Sequence, residues 1–535
     1  MNTIRQKFFS MFLAVLPAVA AAQFESAPAF PGAEGHGRYV KGGRGGRVVH
    51  VTNLNDSGPG SLREAVLGDD RKIVVFDVGG VIALESNLET GRNTTIMGQT
   101  APSPGITVRY YTVVPESNNI IRYIRFRRGQ ERNVNDNADA SSATRKTGII
   151  LDHCSFSWSI DEVASFYDNN NFTMQWCTVA ESLTNPGHTK GPHGFGGIWG
   201  GKLASFHHNL IAHVSNRGPR FNGARYGWEG YKDNRLYSAY KWQNTVQAEN
   251  VDLRNCLMYN AQGTCYGGPG GGQVNIVNNY YKAGPRGTGN EECVTIMSVS
   301  VPGNSTRKHP EFFGMTSRYY ISGNTTETVA GVKTAGKDWD GVVYDDGVYS
   351  IGGVVCSKDT NNFYGDAVKH VKNENGEPCV PVRMERPCPS GDITTHSADK
   401  AYTKVLAYSG ASLHRDDVDA RYMKEVETGT ATYKGSITQT WGLVDFVADV
   451  NGYTEKTFGT AARPAGFDTD GDGIPDEWER AHNLPVDKDN SATFTLDRKG
   501  YYTDLEVYCN SLVDAITKAE RADAESSFKE YYPLD

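Results

Sequence analysis

A repeat of roughly two dozen residues, carried by short β-rich segments, constrains this chain more than any other feature. Such segments recur at 120–126, 148–156, 172–179, 203–213, 251–260 and 274–281. Cys154 and Cys177 stand 23 residues apart, as do Cys256 and Asn279, and Asn209 keeps the same phase after a longer turn. A unit this short cannot bury an apolar face alone; it needs a copy above and below. Strand-borne repeats of this length predict an all-β chain built as a parallel β-helix. Each coil then sets its side chains on their equivalents in the next coil, about 4.8 Å away. In that frame Cys154, Cys177, Asn209, Cys256 and Asn279 form an inward ladder of small and polar side chains. No His or carboxylate shares their phase, which argues against a metal centre there.

Composition agrees. The 535 residues include 59 Gly and 28 Tyr, and the glycine excess suits the many tight turns of stacked coils. An aromatic content of 11% and a net charge of only −8 exclude a disordered chain. The negative balance also excludes a nucleic-acid binder that works by charge. Residues 1–22 read as a signal peptide: Arg5 and Lys7 precede an apolar stretch too short to span a membrane, and Ala20, Ala21 and Ala22 supply the small residues of a cleavage site. Later runs are not apolar enough to span, so a secreted, extracellular or periplasmic protein is expected, without a membrane anchor and as a monomer. Nine cysteines permit disulfides but leave at least one unpaired. Cys379 and Cys388 are close enough in sequence to bridge, and the pairing of Cys154 with Cys177 is open.

The repeat divides the chain. After the leader, 23–330 is expected to be the β-helix and 331–463 an irregular extension packed on it, with helical character at 397–429. A calcium module follows at 464–515, then a polar tail at 516–535. The module rests on the run DTDGDGIPDEWE from Asp468 to Glu479. Asp468, Asp470 and Asp472 sit at positions that converge on one cation, with Gly473 for the sharp turn. The Ile474 carbonyl, Asp476 and Glu479 would complete an EF-hand-like shell for Ca²⁺. Arg463, Pro464 and Gly466 leave no entering helix. Only an exiting helix, near 475–482, and a second starting near Thr503 are expected. The loop therefore resembles the single calcium loops of dockerins and thrombospondin type 3 repeats, with a structural role.

A second group of charged residues surrounds the coil that contains Asp152, His153 and Cys154. Asp161 and Glu162 end that segment, and Asp139 precedes them by about one coil. Lys190, Arg217 and Arg220 follow within the next coils. Residues one coil apart share a face, so these acids and bases can line one groove. As strand neighbours, Asp161 and Glu162 would face opposite ways.

The residues around this groove resemble the pectate lyase superfamily, of the secreted polysaccharide lyase family 1 type. The resemblance lies in AFPGAEGHG from Ala29, VTNLNDSGPGSLR from Val51, VFDVGGV from Val75, MGQTA from Met97, DHCSFSW from Asp152, and Arg217-Gly218-Pro219. It covers about residues 28–290 and reappears at 401–430 and 464–513. It implies a right-handed parallel β-helix that cleaves polygalacturonate, the acidic chain of pectin, by β-elimination with Ca²⁺. It further implies Arg217 as the base, Lys190 and Arg220 as binders of substrate carboxylates, and Asp139 and Asp161 as calcium ligands. The family's third acid falls on Ser165, so Glu162 is expected in its place. Arginine is an unusual base, since it is nearly always charged, and stabilisation of the enolate by Arg217 is an alternative role. A pectin lyase, a polygalacturonase or a non-catalytic pectin-binding β-helix are the competing readings. The hydrolase needs two carboxylates flanking the bond. Asp152 and His153 are expected to be structural. His193, Trp199 and His208 are expected to pack rather than touch sugar.

Overall fold

The computed structural model describes residues 27–223, 249–262, 265–267, 272–287, 294–296, 317–344, 355–357, 362–364, 380–453 and 458–535. The leader read at 1–22 and Cys379 lie outside them. The chain winds into a parallel β-helix with three sheets of 10, 11 and 7 strands. One coil is Thr147–Asp152 in the first sheet, Ser155–Ser157 in the second and Ala164–Tyr167 in the third. The next is Asn170–Gln175, Thr178–Ala180 and Ile198–Trp199. Their registers are parallel and in phase, for example Leu151 beside Met174 and Phe156 beside Val179.

Six successive coils turn from the first sheet to the second through one non-glycine residue in the left-handed region: Tyr123, His153, Trp176, His208, Asn255 and Asn278. The ladder residue follows it. The Asn209 carbonyl accepts from the Cys177 N–H at 2.8 Å, and the Asn279 carbonyl accepts from the Cys256 N–H at 2.8 Å. Asn324 extends the stack, accepting from the Asn279 N–H at 3.0 Å. The amides satisfy the N–H groups that this turn would otherwise bury unpaired. Cys154 and Cys177 are free thiols inside the same stack.

The interior is apolar and aromatic. Phe126, Phe156, Phe166, Phe172 and Phe206 follow one another at centroid distances of 5.1, 6.3, 5.2 and 5.3 Å. Two outer faces are covered by the rest of the chain. Ala180, Leu210, Leu257 and Tyr280 point out of the second sheet and are buried by helices α1 (Ala398–Tyr408) and α2 (Asp417–Thr428). The Arg127 guanidinium donates to Asp416 at 2.7 Å and Asp419 at 2.9 Å, which fixes the start of α2. The extension thus has helices where its sequence is amphipathic and irregular chain between them. Across the first sheet run an N-terminal strap, residues 27–46, and the C-terminal chain with α3 (Asp476–Ala481), α4 (Asp504–Ser511) and α5 (Asp514–Arg521). Among the described residues no helix is long and apolar enough to cross a membrane.

Candidate functional site

The turns from the second sheet into the third carry the acids and bases singled out by sequence. On successive coils, bridges run from Glu162 to Phe195 and on to Asn216. Backbone bonds continue the stack below, from the Ala140 N–H to the Glu162 carbonyl at 3.3 Å. This register sets Asp139, the pair Asp161 and Glu162, the loop with His188 to His193, and Arg217 one above another. Carboxylate oxygens of Asp139, Asp161 and Glu162 all lie within 4.8 Å of one another. The expectation that Asp161 and Glu162 face opposite ways is therefore corrected. The third-sheet strand starts only at Ala164, so both acids lie in the turn, where strand alternation does not apply.

Ser165 does not join them. It is buried in the third sheet, and its hydroxyl accepts from the Ile198 N–H at 3.1 Å. Glu162 stands in its place and contacts the Arg217 guanidinium as an ion pair. Arg217 also lies over the Phe195 ring, 4.4 Å from its centroid, and its own backbone is left-handed, with φ of 53°. A left-handed non-glycine residue is strained, and such strain gathers at functional sites. Lys190 is exposed on the loop between coils, two residues from His188. Arg220 opens the third-sheet strand Arg220–Phe221 beside Ile198.

The electrostatics favour a cation. Asp161 Oδ1 is buried without a hydrogen-bond partner, and Glu162 Oε1, also buried, has the Arg217 guanidinium as its ion-pair partner. Burial, and then the charge of Asp161, hold the Asp139 carboxyl well above its usual range, against the pull of Ser142, Arg217 and Arg128. Three hard oxygen donors in such a space suit calcium.

Two histidines bracket Asp161: His188, which sequence reasoning missed, and His193, which it expected only to pack. His188 Nε2 is 3.5 Å from one of its oxygens and His193 Nε2 is 3.6 Å from the other. The two rings stack at 3.5 Å. His188 accepts from the Lys190 N–H on Nδ1 at 3.0 Å, so a neutral His188 carries its proton on Nε2, facing Asp161. The five-residue spacing of His188 and His193 was the available signal, but only the loop's return beside Asp161 gives it meaning. The remaining candidates are structural. Trp199 is fully buried against Phe206 at 4.6 Å, and His208 is buried between His207 and His396. Asp152 ties three coils, accepting from Arg122 at 2.7 Å and Gln175 at 2.8 Å, while His153 reaches Glu520 at 2.6 Å.

In the C-terminal loop, oxygens of Asp468, Asp470 and Asp472 lie within 4.8 Å of one another. Gly473 has φ of 88°, and a Cβ there would press on Leu505 and Val48 at 3.0 and 3.1 Å. Asp470 Oδ2 and Glu479 Oε2 are buried without hydrogen-bond partners. Burial, with Asp472, Asp470 and Asp468 nearby, pushes Glu479 up to about 7. The Asp476 oxygens accept from Thr469 and Arg480, which braces the loop. The loop is entered from the strand Ala461–Ala462, which pairs with Val78 and Gly79, and not from a helix.

Similar proteins were found in two of three comparisons. The probable pectate lyase C of Aspergillus fumigatus is 33% identical over 501 residues, covering 91% of this chain and 94% of its own. That of Neosartorya fischeri is 33% identical over 504 residues, with the same coverage. Among solved structures, a pectate lyase bound to a hexasaccharide overlaps with a TM-score of 0.41 at 14% identity, over 72% of this chain and 98% of that one. A pectate lyase from Bacillus sp. N165, in complex with trigalacturonate, gives 0.39 at 13%, over 70% and 98%. No family model matches.

Proposed function

This chain belongs to the pectate lyase family, and on that premise we propose that it is a secreted, calcium-dependent lyase that cleaves polygalacturonate by β-elimination. The observation that carries the reading is the convergence of Asp139, Asp161 and Glu162 with Arg217 on stacked turns. The unpartnered oxygen of Asp161, with carboxylate oxygens of Asp139 and Glu162 within 4.8 Å, fits a bound calcium ion. Calcium bound there supplies positive charge that engages a substrate carboxylate and offsets the negative charge of the developing enolate.

The chain's own residues do the rest. Asp139, Asp161 and Glu162 hold the ion, and His188 and His193 orient the Asp161 carboxylate. Arg217, held by Phe195 and Glu162 at the edge of the cluster, takes the C5 proton when its guanidine is deprotonated; the C5–H electron pair forms the 4,5 double bond, the C4–O bond breaks, and the leaving oxygen takes a proton from water. Lys190 and Arg220 bind carboxylates of neighbouring sugars, Lys190 as a point charge and Arg220 as a fork. Hydrolysis is less well supported. A hydrolase needs one free acid and one free base or nucleophile, and here Asp161 is engaged with histidines and Glu162 with Arg217. The DTDGDGIPDEWE loop binds a second calcium with a structural role, and residues 1–22 direct export.

The test is product formation on polygalacturonate. Ultraviolet absorbance from unsaturated uronides should appear with calcium, vanish with EDTA and return when calcium is restored. New reducing ends without that absorbance would mean hydrolysis, and neither signal would mean a binding protein.

A further inference from the structure

A cavity of about 400 Å³ opens between the N-terminal strap and the C-terminal chain, and none of the candidate-site residues lines it. Its volume is that of a ligand site, in the range of roughly 300–1,000 Å³. Tyr39, Tyr501, Tyr502 and Tyr531 form much of its wall. Tyr39 is 56% exposed, a large ring left uncovered. Tyr501 and Tyr531 meet edge to face at 5.7 Å.

Cations share the wall. Lys499 Nζ lies 3.8 Å from the Tyr531 ring centroid and 5.5 Å from that of Tyr501, and Lys529 and Arg38 also line the space. Glu530, the acid of this wall, is already engaged. It accepts from the Gly32 N–H at 3.2 Å and pairs with Arg38 at 3.7 Å and Arg521 at 3.9 Å. The Arg38 Nε–H and the Tyr502 hydroxyl are buried without hydrogen-bond partners. Burial holds the Tyr502 phenol neutral, able to donate and accept.

Aromatic faces beside lysines suit a flat, hydroxylated ring that carries a carboxylate. The ring's C–H face packs on tyrosine, and the carboxylate pairs with an ammonium. A purely apolar ligand would desolvate Lys499 and Lys529 and give them no carboxylate in exchange. We propose that this cavity is a second carbohydrate site, which takes a uronate residue of an acidic polysaccharide and holds the polymer on the protein. Only the identity of that polymer, polygalacturonate, rests on the lyase reading.

The experiment is affinity electrophoresis of the full-length protein in EDTA, where no cleavage is expected. Gels contain polygalacturonate, neutral galactan or no polysaccharide; the last corrects for altered charge. Wild type should be retarded by polygalacturonate alone. Tyr39→Ala and Lys499→Ala, both changes at exposed residues, should weaken that retardation about threefold to tenfold, as expected for loss of one aromatic or charged contact. Their melting temperatures and their turnover of short oligogalacturonates should match wild type. Unretarded wild type, equal retardation of wild type and both variants, or an equal loss in galactan would each overturn the proposal. Because binding is read without turnover, weakened binding in a protein that forms no unsaturated product would contradict the lyase reading and leave this site standing.

Discussion

At the residue scale, the candidate site depends on turns that let neighbouring side chains face the same way. Asp161 and Glu162 would diverge on a strand; in the turn they converge beside Asp139. Arg217 was singled out through the family resemblance of its Arg-Gly-Pro setting, and Asp139 and Asp161 through the same resemblance together with their separation of about one coil. Glu162 was legible only as a substitute for the missing acid at Ser165. His188 and His193 were not, because their part depends on how a loop outside the repeat returns to Asp161. Arg217→Ala should lower elimination at least about 10²-fold, the smaller end of a lost acid–base group, with an unchanged melting temperature; retained turnover would remove Arg217 from the chemistry. His188→Ala should raise the calcium needed for half-maximal turnover severalfold, and His188→Asn, which keeps a donor, should recover part of it. An unchanged calcium requirement would show that Asp161 needs no such support.

At the scale of elements, the calcium-free loop and the helix after α4 both lose stability as pH rises, over different windows. Without calcium, burial and the crowding of acids raise Glu479 to about 7 and Asp472 to about 6. Their ionisation therefore costs stability as pH rises through these values, and bound calcium removes that cost. The melting-temperature gap between calcium and EDTA samples should be small near pH 5 and widest near pH 8. Glu479→Gln should shrink the gap while leaving turnover in excess calcium near wild type. A gap independent of pH would refute proton competition at this loop. Helix α5 is docked through His153. Burial alone would lower that imidazole, but Asp152 and Glu520 outweigh it and hold it at about 9, against an ordinary 6.5. The stabilisation from this charge is complete below about pH 6.5 and is lost as pH rises to 9. Protection of the amides in 514–521, taken relative to the intrinsic base-catalysed exchange rate, should fall over that window in wild type, and His153→Gln should abolish that fall. These contacts join residues far apart in the sequence, such as His153 and Glu520, so no local motif announced them. Helical character at 397–429, near 475–482 and from Thr503 was legible; the structure adds the Thr503–Glu506 capping box at the start of α4 and carries α5 across residue 515.

At the scale of the whole molecule, one interior runs through the coils, and the chain's two ends and its extension serve as covers for the outer faces of the sheets. The repeat disclosed the coils because each stacks its side chains on the last. The covers were less legible, since nothing repeats in them; their apolar residues answer to Leu210 or Ile73 on an outer sheet face. Removing a ring from the aromatic column should be felt along it: Phe156→Ala should cost about 3–5 kcal/mol, read by chemical denaturation.

The central claim is that one calcium ion held by Asp139, Asp161 and Glu162 governs elimination. The direct measurement is the rate of unsaturated-uronide formation from polygalacturonate against free calcium, for wild type and Asp161→Asn. The wild-type rate should saturate with calcium. The variant should need more than about tenfold more calcium, a loss of about 1.4 kcal/mol or more in binding, at an unchanged melting temperature. Superimposable calcium curves, or elimination in wild type that persists in EDTA, would contradict the account.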